Sequence, residues 1–289
     1  MHKRPLGKTG LEVSAIGLGG MPLSLSTRPA ESMALIVFRQ AFESGVTLID
    51  TADAYCIDDS DTGHNEGLIA RALKKYDKSF DEIVVATKGG CVRPEGAWGV
   101  DGRPEHLKAA CEHSLQMLGI ERIDLYQLHA VDSSVPFEDS IGALVDLQNE
   151  GKIRWIGLSN VGVDHIVEAQ ELCEVVSVQN RCNVFERTSF TNGVVDYCTA
   201  QGITFLPHSP VGGHRGHSRT PDDPTLNKIA KSHHASPYQV CLAWLLAKSP
   251  RMIPIPGASR PESIRFSAAA ADLRLSKEDM DVLDAAFPV

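Results

Sequence analysis

Residues 83–88 read Ile-Val-Val-Ala-Thr-Lys, an apolar run too continuous for a strand with one wet face, closed by a charge. Strands buried on both faces belong to parallel sheets covered by helices. Seven other stretches are read as strands of the same sheet: 15–19, 47–51, 123–129, 153–159, 175–179, 204–208 and 252–255. Helical patterns separate them. Leu107, Ala110, Cys111, Ser114, Leu115 and Leu118 recur at helical spacing behind Pro104, and Ser236-Pro237-Tyr238-Gln239 has the form of a capping box with proline in the first turn. Eight β/α pairs in 289 residues predict an α/β fold, a closed (β/α)8 TIM barrel, as a single domain over 1–289. A doubly wound open sheet is the competing arrangement. Residues 4–7 and 11–14, flanking Lys8-Thr9-Gly10, predict a small amino-terminal β-hairpin.

Composition narrows the function. A net charge of −9 argues against a nucleic-acid partner, which needs a basic face. No stretch approaches the roughly 18 continuous apolar residues of a membrane span, and MHKRPLGKTG is followed by no apolar run, so no secretory signal is expected. Seven cysteines, none in a CxxC pair, read as reduced thiols of a cytoplasmic protein. Cys111, Cys173 and Cys241 read as small core residues. Gly17-Leu18-Gly19-Gly20 is no dinucleotide fingerprint, because Pro22 stands where the third glycine belongs. No metal site is expected: His214 and His217 lack HExxH or paired-cysteine spacing.

Barrels place their chemistry at the carboxyl ends of the strands. Those ends carry Asp50 and then Tyr55, Lys88, His129, Ser159-Asn160, Gln179-Asn180 and His208-Ser209-Pro210. A buried lysine needs an anionic partner, and Asp50 on the adjacent strand supplies one. Lys88 beside Tyr55 is expected to lower the phenol's pKa towards a usable general acid. His129 is placed to orient a substrate carbonyl. Singly, each has a plainer reading: a solvated lysine, a loop-capping aspartate, a core histidine, a loop tyrosine. Together, on three consecutive strands at the reactive end, they form a constellation.

The set Asp50-Thr51-Ala52-Asp53-Ala54-Tyr55, Ala86-Thr87-Lys88, Gln127-Leu128-His129, Gly157-Leu158-Ser159-Asn160 and Val178-Gln179-Asn180 resembles the aldo-keto reductases, over nearly the whole chain. The resemblance implies reversible carbonyl reduction with a nicotinamide cofactor, with Tyr55 as proton donor and Asp50, Lys88 and His129 completing a tetrad. It also implies that Ser159, Asn160 and Gln179 hold the nicotinamide carboxamide. Ser209, Pro210, Val211, Gly212 and Gly213 match the start of a long loop, expected to run to about Thr220, that closes over the pyrophosphate. His208 stands where the family commonly has a stacking aromatic, and its protonation near pH 6.5 is expected to make cofactor affinity pH-dependent. Residues 255–267 resemble the segment that binds the adenosine 2′-phosphate. There Phe266 and Ser267 replace the usual Glu-Asn, while Gly257, Ser259, Arg260, Ser263 and Arg265 remain to take a phosphate, which favours NADPH over NADH.

Met21, Leu23, Cys56, His64 and Trp98 lie on loops at the reactive end, and the acidic insertion 56–63 reads as solvated. A small aldehyde or ketone, aromatic ones included, is the expected partner. Residues 86–90 and 101–106 are similar to bacterial members of the family that include pyridoxal reductases. Two rival readings share the fold: a Schiff-base lyase acting through Lys88, and a cofactor-sensing subunit without turnover.

Overall fold

The computed structural model describes residues 1–287, and leaves the side chains of His214 and Arg215 outside the description. The histidine pair considered at 214 and 217 therefore lies partly outside the described residues. β1 (Lys3–Pro5) and β2 (Glu12–Ser14) pair antiparallel as the expected hairpin, with Lys3 opposite Ser14. The chain then enters a parallel sheet of β3 (Leu18–Gly19), β4 (Leu48–Asp50), β5 (Val84–Gly89), β8 (Ile123–Leu128), β9 (Ile153–Ser159), β10 (Val175–Gln179) and β11 (Thr204–Phe205), hydrogen-bonded in that order. A second small hairpin, β6 (Cys91–Val92) with β7 (Gly99–Val100), follows β5 and had no counterpart in the sequence reading.

The eighth predicted strand, 252–255, is not a regular strand, yet it closes the ring. Ile253 donates to Phe205 O at 2.9 Å, while Gly17 and Gly19 donate to Pro254 O and Pro256 O at 2.9 and 3.0 Å. Pro254 and Pro256 have no N–H to return, so pairing towards β3 is reduced to a bridge at Gly19 and Gly257. The predicted strands at 15–19, 47–51 and 204–208 shorten to two or three residues. Their outer positions pair only through isolated bonds, such as His208 N to Asn180 O at 3.0 Å.

Two apolar layers hold the barrel. Leu48, Val84, Ala86, Leu125, Val176, Leu206, Ile253 and Ile255 fill its interior, and Leu6 and Val13 of the amino-terminal hairpin belong to the same cluster. Outside, helices Glu31–Glu43, His64–Lys75, Pro104–Leu118, Phe137–Asn149, Val163–Gln170, Val194–Gln201, Pro237–Lys248 and Pro261–Ala269 cover the strands. Their starts follow the sequence. Pro104, Pro237 and Pro261 each stand in a first turn, where a missing N–H costs nothing. Ser236 and Gln239 form the predicted capping box. Cys111 and Cys241 are core residues, and Cys173 is only partly buried. The loop expected to run to Thr220 is instead wound into helical turns at Gly213–Gly216 and His217–Asp222. No described helix is long and apolar enough to cross a membrane.

Candidate active site

Alternation along β5 decides which side chains enter the barrel. Lys88 points inward and is fully buried, whereas its neighbour Thr87 donates to Glu66 Oε1 on the helix behind, at 2.5 Å. Lys88 Nζ meets the Asp50 carboxylate at 2.8 Å, Thr51 O at 2.7 Å and Tyr55 Oη at 3.2 Å. The His129 ring stands edge-on to Tyr55, with centroids 5.7 Å apart. The four side chains expected to meet at one spot therefore do meet.

Burial decides their protonation. It pushes the Lys88 ammonium down, against the opposing pull of Asp50. It also drives Tyr55 well above its ordinary value, with the Asp50 charge adding to the effect. The expected lowering of the phenol by Lys88 is thus corrected: in this dry position desolvation outweighs the ammonium, and Tyr55 is held protonated. His129 is driven well below its usual range, first by burial and then by Lys88 and His208, so its imidazole is neutral. His208 is pushed down to about 4 by burial, Lys88 and Arg181. That corrects the expected titration near pH 6.5.

Above these groups opens a cavity of about 520 Å³, within the range of ligand sites. Asp50, Tyr55, His129, Ser159, Asn160, Gln179, His208, Ser209, Pro210, Val211, Gly257, Met21 and Trp98 all border it. Gly212 does not, although Gly213 beside it does. Leu23 and Cys56, read as pocket candidates, are buried and do not line it. His64 Nδ1 is instead within 2.8 Å of Ser24 Oγ. The acidic insertion is anchored as well as solvated: Asp61 meets Arg28 at 2.6 Å and accepts from Ile57 N at 3.1 Å.

The turn after β9 is built for this cavity. Asn160 takes a left-handed φ of 59°, and its Nδ2 donates to His129 O at 2.9 Å. Asn180 clamps the next residue, accepting from Val161 N at 3.0 Å and donating to Val161 O at 2.8 Å. Gln179 donates to Asp50 Oδ1 at 2.7 Å, which ties the predicted carboxamide-binding set to the tetrad. Behind β4, Thr51 donates to Asn65 Oδ1, and Asn65 Nδ2 donates to Gly20 O at 2.9 Å. That joins the loops after β3 and β4.

The residues present suit a dinucleotide. Gly213 has φ +61°, and a Cβ there would lie 2.7 Å from Ser209, so only glycine leaves this bend of the wall clear. Ser259 and Arg260 border a second hollow of about 400 Å³ with Thr27, Pro29 and Met33, and Thr27 borders both spaces. The two hollows thus adjoin at Thr27, with the tetrad beneath one and Arg260 at the other. Ser263 and Arg265 border neither space, and the Arg265 guanidinium lies 5.2 Å from the exposed Phe266 ring. His217, in the segment expected to close over the pyrophosphate, lines the main cavity, as do Arg181, Leu25 and Thr27, which the sequence reading did not single out. As scattered loop residues they carry no periodicity to signal them.

Comparison with known proteins agrees with this geometry. The Aldo/keto reductase family profile matches residues 15–287. A probable aldo-keto reductase of Glycine max is 33% identical over 98% of this chain and 88% of its own. Pyridoxine 4-dehydrogenase of Escherichia coli strain K12 is 34% identical over 96% of this chain and 93% of its own. A thermostable aldo-keto reductase solved with the inhibitor epalrestat superposes with a TM-score of 0.84 at 31% identity, covering 99% of both chains. A buried Lys–Asp pair beneath a protonated tyrosine, at the mouth of a barrel matched over its whole length, leaves one conclusion: the chain belongs to the aldo-keto reductase family and is a nicotinamide-dependent oxidoreductase of the (β/α)8 type.

Proposed function

We propose that the protein catalyses reversible, NADPH-dependent reduction of a small aldehyde or ketone, with Tyr55 delivering the proton. The observation that carries this reading is the 3.2 Å approach of Lys88 Nζ to Tyr55 Oη. Burial keeps the phenol protonated until a substrate oxygen gains charge beside it. When Tyr55 gives up its proton, the ammonium at that distance stabilises the phenolate left behind. Asp50 keeps Lys88 charged in a site that burial would otherwise neutralise. His129 is neutral, borders the cavity beside Tyr55, and orients the carbonyl. A bound nicotinamide supplies the hydride. Ser159, Asn160 and Gln179 would hold its carboxamide, His208 would lie beside its ring, and Ser209, Pro210, Val211 and Gly213, which border the cavity, would line the path of the diphosphate.

Arg260, bordering the second hollow with no ion-pair partner among the described residues, supports the 2′-phosphate form of the cofactor. Lys88 speaks against a Schiff base: it is fully buried, and its nitrogen already has three partners. The Escherichia coli relative's name adds pyridoxal to the small aldehydes worth offering.

The test is a panel of aldehydes and ketones, pyridoxal included, with cofactor oxidation followed by absorbance. Tyr55→Phe should keep NADPH binding within about twofold and lose turnover by about a thousandfold. Near-normal turnover would remove Tyr55 from the reaction. Arg260→Ala should weaken NADPH by about tenfold and leave NADH unchanged.

A further inference from the structure

The hairpin of β6 and β7 projects over the cavity mouth, with Trp98 just before β7. Half of the Trp98 surface is exposed, yet its ring borders the cavity and stands edge-on to His129, centroids 6.3 Å apart at 77°. Strands of two residues cannot fix a ring in that pose, and among the described residues the indole makes no side-chain hydrogen bond.

Arg93 supplies the restraint. Its guanidinium carbon lies 4.3 Å from the Trp98 ring centroid. Its Nη2 donates to Gly96 O at 2.6 Å and to Ile57 O at 3.0 Å. Gly96, at φ +83°, turns the hairpin so closely against the neighbouring loop that a Cβ there would lie 3.2 Å from Ile57 O. Ile57 is two residues beyond Tyr55, and its own N–H is held by Asp61, which Arg28 anchors. One guanidinium thus joins the indole face, the hairpin tip and the loop that carries Tyr55. Arg93 Nε and Nη1 are buried without an acceptor, so the clamp and the stack are what hold the residue in place.

We infer that Arg93 is a positioning residue that sets substrate specificity: by holding Trp98 beside His129, it forms a slot that favours planar aromatic carbonyl compounds over small aliphatic ones. The inference rests on the carbonyl-reductase reading of this cavity. Tyr55, His129 and Trp98 present three ring surfaces around the reactive spot. A planar substrate gains edge-to-face contact with them. A freed indole gives up that contact, because ordering it again on binding costs rotamer freedom.

The experiment compares benzaldehyde with propanal in the parent protein, Arg93→Ala and Arg93→Lys. For Arg93→Ala, kcat/KM for benzaldehyde should fall about tenfold, mostly through KM, while propanal and NADPH parameters stay within about twofold. Arg93→Lys keeps a cation over the ring and should recover part of the loss. Acrylamide quenching of Trp98, taken as the difference from the matching Trp98→Phe protein, should rise in Arg93→Ala. Benzaldehyde should protect the indole in the parent only. Equal loss for both aldehydes, no loss for either, or unchanged quenching overturns the inference. If the parent reduces neither aldehyde, the catalytic reading fails on its own. Quenching protection then still decides Arg93, and its absence in the parent counts against the slot.

Discussion

Gln179 Nε2 donates to Asp50 Oδ1 at 2.7 Å, joining two residues 129 positions apart in the chain. One carboxylate therefore holds both the Lys88 ammonium and the amide we propose to face the nicotinamide. Removing the amide should disturb both sides at once. Gln179→Ala is expected to weaken NADPH binding and lower kcat, each by about tenfold. Fluorescence titration and single-turnover kinetics check the two effects separately.

The Asp50–Lys88 pair is out of water, with Asp50 2% exposed and Lys88 fully buried. Breaking such a pair strands one charge, whereas replacing both partners need not. Asp50→Leu or Lys88→Met alone should each cost about 3–5 kcal/mol of stability and abolish turnover. The double variant should regain most of the stability and none of the activity. Denaturant melts and turnover assays on the three proteins decide it.

His208 is neutral wherever the enzyme is commonly assayed, because its pKa is pushed down to about 4. Cofactor affinity should therefore be flat between about pH 5.5 and 8. The unfolded chain binds this proton near 6.5 and the folded one only near 4, so the associated stability is present above the unfolded value and is lost as pH falls through the folded one. A Tyr in its place offers a larger ring, so His208→Tyr should tighten NADPH about threefold. Equilibrium binding at three pH values checks both statements.

Glu66 lies fully buried behind Lys88, with one oxygen held by Thr87 and Oε2 lacking a partner in the described protein. Burial raises its pKa from 4.5 to about 7, against the hydrogen bond from Thr87 and the charge of Lys88. The folded state keeps this proton where the unfolded chain has lost it. The associated stability is full below 4.5 and is lost as pH rises through about 7. Glu66→Gln cannot ionise, so its stability relative to the parent should grow with pH, by on the order of 3 kcal/mol between about pH 4 and pH 8. Denaturant melts at the two ends measure it.

Much of the molecule was legible because burial leaves a mark in sequence. An apolar run ending in Asp50, Lys88 or His129 announces both a parallel strand and a charge that needs company, and the barrel rule then says where the company gathers. What escaped has physical reasons. Pro254 and Pro256 close the ring through their carbonyls, a use of proline that strand propensity cannot foresee. The β6–β7 hairpin has strands too short to show alternation. The protonation of Tyr55 and His208 was misjudged because sequence shows which charges are near but not how little water remains. Arg181 reaches the cavity from a segment that reads as ordinary loop.

The last stave of the barrel accepts hydrogen bonds from Gly17 and Gly19 and pairs with β3 only through a bridge at Gly19 and Gly257, since Pro254 and Pro256 have no N–H to donate. The ring therefore has a seam, fastened on one side by fewer stitches than usual. Breathing should begin there, so the amide protons of Gly17 and Gly19 should exchange with solvent sooner than those buried in β5, β8 or β9. Because the chain leaves this seam directly into Gly257, Ser259 and Arg260, the loosened joint of the cylinder adjoins both hollows.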